Sequence, residues 1–247
     1  MFMLVPSAEI LLVTPVWNDS SRLAGFGAEL AKALAESPLP IRWVIADDGS
    51  GEEQHQPLQE LAARFSAVFP KVDLHFAARH YGKGSVVREA WALAPDAVWL
   101  AFVDADGSVS PTELLRLIQT AVDADTSALG IRKRTATTRV EESPWRGLFH
   151  RGFLLAARLI LGLRCEDPQC GAKVLHGPAY RRIAGGLREN GLAFDSELLC
   201  ALKNDGTEWL EIPVTWIEKK GGKVYPLRDS WKMLAALLRI RSRQPAG

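Results

Sequence analysis

Apolar residues gather in short runs along the first half of the chain, and each run ends in acids, glycine or proline. Glu9-Ile10-Leu11-Leu12-Val13-Thr14-Pro15, Ile41-Arg42-Trp43-Val44-Ile45-Ala46 and Val98-Trp99-Leu100-Ala101-Phe102-Val103 have strand length. A continuous apolar run of that length fits a strand buried on both faces, as in a parallel sheet. Val72 to Phe76 alternates and predicts a third strand in chain order, and Ser127 to Ile131 predicts a fifth. Helical stretches separate them. Ala24 to Ala35 has helical composition, with Ser20 or Ser21 able to cap it and Pro38 and Pro40 beyond its end. Gly82-Lys83-Gly84 opens a helix that runs to about Leu93. Ser110-Pro111-Thr112-Glu113 reads as a capping box with proline at the first helical position, for a helix to about Val122, and Ser50 and Glu53 repeat the capping-box spacing. Strand alternating with helix predicts an α/β fold with a mostly parallel central sheet.

After about residue 135 the alternation fades, so the second half reads as an appendage to that sheet. Thr135 to Pro144 carries no hydrophobic period and predicts a mobile loop. Trp145 to Leu163 sets Arg146, Arg151 and Arg158 beside an apolar face; packing on the sheet is the expectation, with a membrane surface as the alternative. Asp167 to Lys173 reads as a polar turn, and Asp195 and Glu197 stand at the start of a further helix, Asp195 as its cap or as a site acid. Pro213 makes Trp209 to Trp216 an edge strand or a bulged one. Ser230 to Arg241 is the last helix.

Composition narrows the class. Hydrophobic residues make up 47% of the 247, which excludes a disordered chain and allows a single domain over residues 1–247. The net charge of +1 gives no overall field for nucleic acid. Cys165, Cys170 and Cys200 form no C-x-x-C pair, so free thiols in a reducing, cytoplasmic compartment are expected. Met1 to Val13 has no basic residue to head a signal peptide, and the apolar run from Gly152 to Leu163 is broken by Arg158 and too short to span a bilayer.

The candidate chemistry lies where strands end. Asp104 and Asp106 follow the fourth strand and precede a capped helix, the edge at which open α/β sheets bind ligands. Two carboxylates one residue apart can hold a hard divalent ion that also takes diphosphate oxygens and water; alternatively they only shape a turn. Asp47-Asp48-Gly49-Ser50 repeats the pattern after the second strand, where a carboxylate can accept from the N3–H of a uracil or from a ribose hydroxyl, or the Asp-Gly pair simply turns the chain. Lys83 between its glycines can face a phosphate at a helix start, although the spacing is not that of a P-loop, and alone it reads as a solvated residue. Gly25-Phe26-Gly27 lies inside a helix and is no dinucleotide fingerprint.

Taken in order, these stretches resemble family 2 glycosyltransferases of the GT-A fold, and within them the dolichyl-phosphate β-glucosyltransferases and bacterial polyprenyl-phosphate glycosyltransferases. Pro15-Val16-Trp17-Asn18-Asp19 is similar to the family's P-x-Y-N-E, and Asp47-Asp48-Gly49-Ser50, Gly82-Lys83-Gly84 and Asp104-Ala105-Asp106 match its D-D-G-S, G-K-G and D-x-D. Asp167-Pro168-Gln169-Cys170-Gly171-Ala172-Lys173 is similar to D-T-Q-C-G-F-K of the glucosyl branch. Phe194 to Leu199 and Glu211-Ile212-Pro213-Val214 through Trp216 match the same branch. The resemblance implies a GT-A domain with an acceptor-side extension: about 9–135 for the nucleotide sugar and about 136–247 for the acceptor. It implies that Pro15, Trp17, Asp19, Asp47, Asp48 and Lys83 surround the nucleotide, and that Asp106, with or without Asp104, binds Mg²⁺ or Mn²⁺. It implies inverting transfer of a hexose, glucose first, from a UDP-sugar to a polyprenyl phosphate or to a soluble hydroxyl acceptor, or nucleotide-sugar binding without catalysis. A phosphate acceptor is already ionised and asks for cations, with Arg132 and Lys223 first and Arg146 and Arg151 behind them. A hydroxyl acceptor asks for a base, Asp195 or Glu197. Trp17, Asp19 and Gly222 depart from the usual Tyr, Glu and Ser. Most relatives of this branch carry a transmembrane tether, so peripheral attachment at the inner face of a membrane is the expectation here.

Overall fold

The computed structural model describes residues 9–219 and 226–244. Strands β1 (Ile10–Val16), β2 (Ile41–Asp47) and β4 (Trp99–Val103) form the centre, with β3 (Val72–Phe76) at one edge. All pair in parallel, β1 between β2 and β4. β5 (Ser127–Ile131) does not follow β4 directly. The antiparallel β7 (Ala172–His176) is inserted between them, and β8 (Trp209–Pro213) closes the far edge beside β5, giving the order β3-β2-β1-β4-β7-β5-β8. A separate ribbon pairs β6 (Val140–Glu141) with β9 (Trp216–Ile217).

Side-chain alternation sorts the core into two layers. Ile10 and Leu12 point to one face, with buried residues of α1 (Ser20–Glu36), α2 (His55–Ser66) and α4 (Pro111–Asp123). Leu11 and Val13 point to the other, with α3 (Lys83–Trp91), α5 (Pro144–Leu161), α6 (Gly177–Ala184), α7 (Phe194–Asn204) and α8 (Pro226–Arg243). Covering both faces is why the central strands read as unbroken apolar runs. Successive strands step from β1 to β2 and β3, then back to β4 on the other side of β1. That reversal opens a crevice at the carboxyl ends of β1 and β4.

Several expectations are corrected. The second half is no appendage, since it supplies β7 and β8 to the same sheet, and Ala172 and Lys173 belong to a central strand instead of a turn. Within 135–144 the hydroxyls of Thr135 and Thr138 meet at 2.8 Å, and the chain then forms the two-residue strand β6. α5 packs on α8 and, as expected, buries Ala157 and Leu161 in the layer shared with Leu11 and Val13 of the sheet. α1 is entered through Asp19 with no side-chain cap bond from either serine. Ser50 does not cap a helix: its Oγ accepts from Asn18 N at 2.7 Å and donates to Asp47, and Gly51 takes the cap position without a side-chain bond. At Ser110 the cap stands, its Oγ accepting from Glu113 N at 3.3 Å.

One buried pair secures the antiparallel insertion. Arg132, just after β5, donates from Nε to Asp167 Oδ2 at 2.6 Å and from Nη2 to Asp167 Oδ1 at 2.8 Å, while its backbone N–H reaches Oδ2 at 3.0 Å. Asp167 opens the turn that leads into β7. Burial alone would raise its carboxyl, but the Arg132 guanidinium outweighs that and holds it below the usual carboxylate range. A depressed carboxylate stabilises the fold fully above its unfolded value of about 4 and loses that contribution as pH falls toward the folded value. Asp167→Asn should therefore cost about 3–5 kcal/mol at pH 7, by stranding a buried guanidinium. The gap in unfolding free energy between wild type and variant should narrow as the pH is taken below about 4. Denaturant melts from pH 7 to pH 3 measure this, and a gap that does not change with pH would contradict it.

Candidate active site

The crevice is a cleft of about 500 Å³ at the carboxyl edge of the sheet. The β1 loop brings Pro15, Trp17 and Asp19 to it; Asp48 comes from the end of β2, Lys83 from the start of α3, and Asp104 and Asp106 from the end of β4. Seven of the residues singled out in the sequence thus meet in one cavity. The opposite wall is built by residues 189–193 and by Lys232, Met233 and Arg239 of α8.

The loops are stitched to one another before any ligand arrives. Asn18, held at a φ of 47°, accepts from Gly51 N at 2.9 Å and donates its backbone N–H to Ser50 Oγ at 2.7 Å. Asp47 turns both carboxylate oxygens to Ser50 and lies behind the cleft instead of lining it. Asp48 accepts from Tyr81 N at 3.0 Å and from Gly82 N at 2.9 Å, and stands 2.8 Å from His80 Nδ1. Trp17 stacks on His80 with centroids 4.1 Å apart. Gly82 has φ 118°, and a Cβ there would lie 2.5 Å from the carbonyl oxygen of Asn190. Only glycine lets this loop touch the 189–193 wall and still start α3 at Lys83.

Below the cleft runs a chain of alternating charge. Lys83 Nζ lies 2.7 Å from Asp104 Oδ1 and 3.5 Å from Asp195 Oδ2. Asp195 Oδ1 in turn accepts from Lys173 Nζ at 2.7 Å. Lys173 has no exposed surface and also donates to the carbonyl of Cys170 at 2.7 Å. The ring of Phe102 lies under both lysines, with Lys83 Nζ 4.5 Å and Lys173 Nζ 5.3 Å from its centroid. Burial acts to lower the Lys83 ammonium, yet Asp104 and Asp195 together outweigh it and hold it above the ordinary lysine range. Lys83 is therefore a fixed, charged group and not a solvated surface residue. Asp106 accepts from Ser108 N at 2.9 Å, and its other oxygen is 4.0 Å from Arg22, which pairs with Asp19 at 2.9 Å.

Among the described residues no three carboxylate, imidazole or thiol groups converge to hold a metal ion. Asp104 and Asp106 offer two hard oxygen ligands, one of them already against Lys83. Such a set suits an ion that takes one or two carboxylates and completes its shell with phosphate oxygens and water.

Three sequence expectations are placed elsewhere, and a fourth falls outside the described residues. Arg132 is outside the cleft, locked to Asp167. Asp195 is the second residue of α7 and not its cap, and is buried under the cleft against two lysines. Glu197 is a buried brace whose Oε2 accepts from Arg188 N and Glu189 N at 2.8 and 2.7 Å. Lys223 lies outside the described residues. Lys173, Glu189, Lys232 and Arg239 were missed. For Lys173 a signal existed, since Ala172-Lys173-Val174-Leu175 is an apolar strand with one cation in it.

Gly82→Ala should strain the loop at its positive φ and force Asn190 away. A loss of about 1–3 kcal/mol in unfolding free energy is expected, read by denaturant melts; an unchanged midpoint would contradict this account of the loop.

A family model described as "Glycosyl transferase family 2" matches residues 12–182. The chain is 28% identical to the dolichyl-phosphate beta-glucosyltransferase of Saccharomyces cerevisiae, over 93% of this chain and 73% of that one. It is 27% identical to the polyprenol monophosphomannose synthase of Mycolicibacterium smegmatis, over 88% of this chain and 80% of that one. In fold it is similar to the glucosyl-3-phosphoglycerate synthase of Mycobacterium tuberculosis in complex with Mn²⁺, UDP and glucosyl-3-phosphoglycerate. That likeness has a TM-score of 0.65 at 14% identity and covers 97% of this chain and 82% of that one. The chain belongs to glycosyl transferase family 2 and is a glycosyltransferase of the GT-A fold.

Proposed function

We propose that the protein transfers glucose from UDP-glucose, with inversion, to the phosphate of a polyprenyl-type lipid. The observation that carries this is the meeting of Lys83, Asp104 and Asp106 at the carboxyl edge of the sheet, where a diphosphate leaving group needs positive charge. In this assignment about 9–135 form the donor half and about 136–247 the acceptor half, which reaches the cleft through Glu189, Gly191 to Ala193 and α8. Asp106 and Asp104 would hold Mg²⁺ or Mn²⁺, which when bound supplies charge stabilisation for the departing diphosphate. Lys83 faces the same oxygens from the protein side. Trp17 and His80 offer the aromatic surface for the base. Asp48 lines the cleft and orients the 80–82 loop, while Asp47 braces its own turn through Ser50 from behind.

The state of the acids supports a phosphate acceptor. A hydroxyl would need a carboxylate free to take its proton. Asp19 faces Arg22, Asp104 faces Lys83, Glu189 faces Arg239, and Asp195 is buried between Lys83 and Lys173. A lipid monophosphate, with a second pKa of about 6, needs no base at neutral pH. Asp195 is then a positioning residue for Lys83. The acceptor's membrane can be met without a span: none of the described helices is long and apolar enough to cross one. α5 exposes Trp145, Leu148, Leu155 and Leu159, spaced by three, seven and four residues, beside the exposed Arg151 and Arg158, and α8 exposes Trp231 and Leu238. Apolar stripes edged by arginine suit the surface of an anionic bilayer.

Transfer from radiolabelled UDP-glucose to polyprenyl phosphate carried in vesicles tests all of this. Glycolipid should form with Mg²⁺ or Mn²⁺, stop in excess EDTA, form faster on anionic than on neutral vesicles, and fall on the order of 10²-fold in Asp106→Asn. Transfer to a soluble hydroxyl acceptor with none to the lipid, or full activity in EDTA, would refute it.

A further inference from the structure

A phosphomonoester brought beside a diphosphate adds nearly two negative charges at neutral pH, so the acceptor side of the cleft must supply cations. The basic residues that line the cleft are Arg22, His80, Lys83, Lys232 and Arg239. The first three are committed: Arg22 to Asp19, His80 to Asp48 and Trp17, and Lys83 to Asp104 and Asp195. The remaining two belong to α8 and stand seven residues apart, two helical turns, so they share one face. Lys232 pairs with no carboxylate among the described residues. Arg239 is 56% exposed at its side chain and meets Glu189 through Nη2 at 2.8 Å and Nε at 3.3 Å.

Arg239 can leave Glu189 without stranding it. Arg243 Nη2 lies 2.6 Å from Glu189 Oε1 and 2.9 Å from Glu197 Oε1, while the other Glu197 oxygen is held by two backbone N–H groups. Arg243 therefore keeps a charge-assisted bond to each carboxylate while Arg239 turns into the cleft. Met233 lies between the two cations along α8 and accepts from Gln169 Nε2 at 3.7 Å, and Leu192 stands exposed on the 189–193 wall. These two side chains give the first carbons of a prenyl chain an apolar surface next to the anion site.

We infer that Lys232 and Arg239 form the binding site for the acceptor's phosphomonoester, in place of Arg132, whose donors are engaged by Asp167. The inference rests on the lipid-phosphate reading of the acceptor. A guanidinium and an ammonium each add a charge-assisted bond to a phosphate oxygen, the guanidinium with two donors in a fixed fork.

Calorimetric titration of a ten-carbon prenyl phosphate, and of the matching prenyl alcohol, into the UDP-loaded protein tests the site without turnover. Wild type should bind the phosphate and bind the alcohol far more weakly. Arg239→Gln and Lys232→Gln should each weaken phosphate binding about tenfold or more, with an unchanged affinity for UDP, which also certifies the fold of each variant. Both variants binding the prenyl phosphate as tightly as wild type would overturn the site while leaving the phosphate acceptor standing. Equal wild-type affinity for alcohol and phosphate would overturn the phosphate acceptor, and the anion site with it.

Discussion

The structure depends on where the Lys83 ammonium is held. It sits at the first turn of α3, against a carboxylate from the end of β4 and a second one from the start of α7. Three elements, α7 distant in sequence from α3 and β4, are tied at one atom. A buried ion pair adds little net stability, because desolvation consumes most of the attraction. Its value here is geometric: a cation fixed by two acids and an aromatic face does not wander, and in the proposed transfer it waits where negative charge would accumulate as a diphosphate leaves. Lys173 completes the arrangement. Without it, Asp195 would have Lys83 as its one ion-pair partner among the described residues and would compete with Asp104 for it.

The antiparallel strand β7 is what makes this possible. A purely parallel sheet would send the chain after β5 away from the cleft. The reversed strand brings Gly171 against Asp104, where a Cβ would fall 2.1 Å from Oδ2, and brings Lys173 under Asp195. The cost is a seam between β4 and β5 bridged by a single reversed strand, and the Arg132–Asp167 pair secures one end of it. Arg132 thus has a task in the fold that removes it from the chemistry. In the proposed assignment the acceptor side falls to α8, which brings Lys232 and Arg239 to the cleft and exposes Trp231 and Leu238.

The parallel half was legible because its signals are local. Unbroken apolar runs ending in acids give buried strands whose loops share an edge, so Pro15, Trp17, Asp19, Asp48, Lys83, Asp104 and Asp106 could be named and found together. What was not legible is set by pairings distant in sequence. Arg132 and Asp167 are 35 residues apart, and nothing in either stretch says that the guanidinium is already spent. Glu197 looked like an acid at a helix start, yet its carboxylate closes a loop through two backbone N–H groups. Asp195 looked like a cap because caps and site acids share the same residue types; only the placement of Lys173 and Lys83 separates the two roles. Ser50 and Glu53 matched a capping box, but the Ser50 oxygen accepts from Asn18 N, 32 residues away, while its proton goes to Asp47.

The central claim is that Asp195 acts on the donor only through Lys83. A double-mutant cycle read by UDP titration tests it most directly, with Lys83→Met, Asp195→Asn and the pair. Each single variant should weaken UDP binding, and the double variant should be no weaker than Lys83→Met, leaving a coupling of about 0.5–3 kcal/mol. Additive losses would contradict the claim. So would Asp195→Asn binding UDP as wild type does.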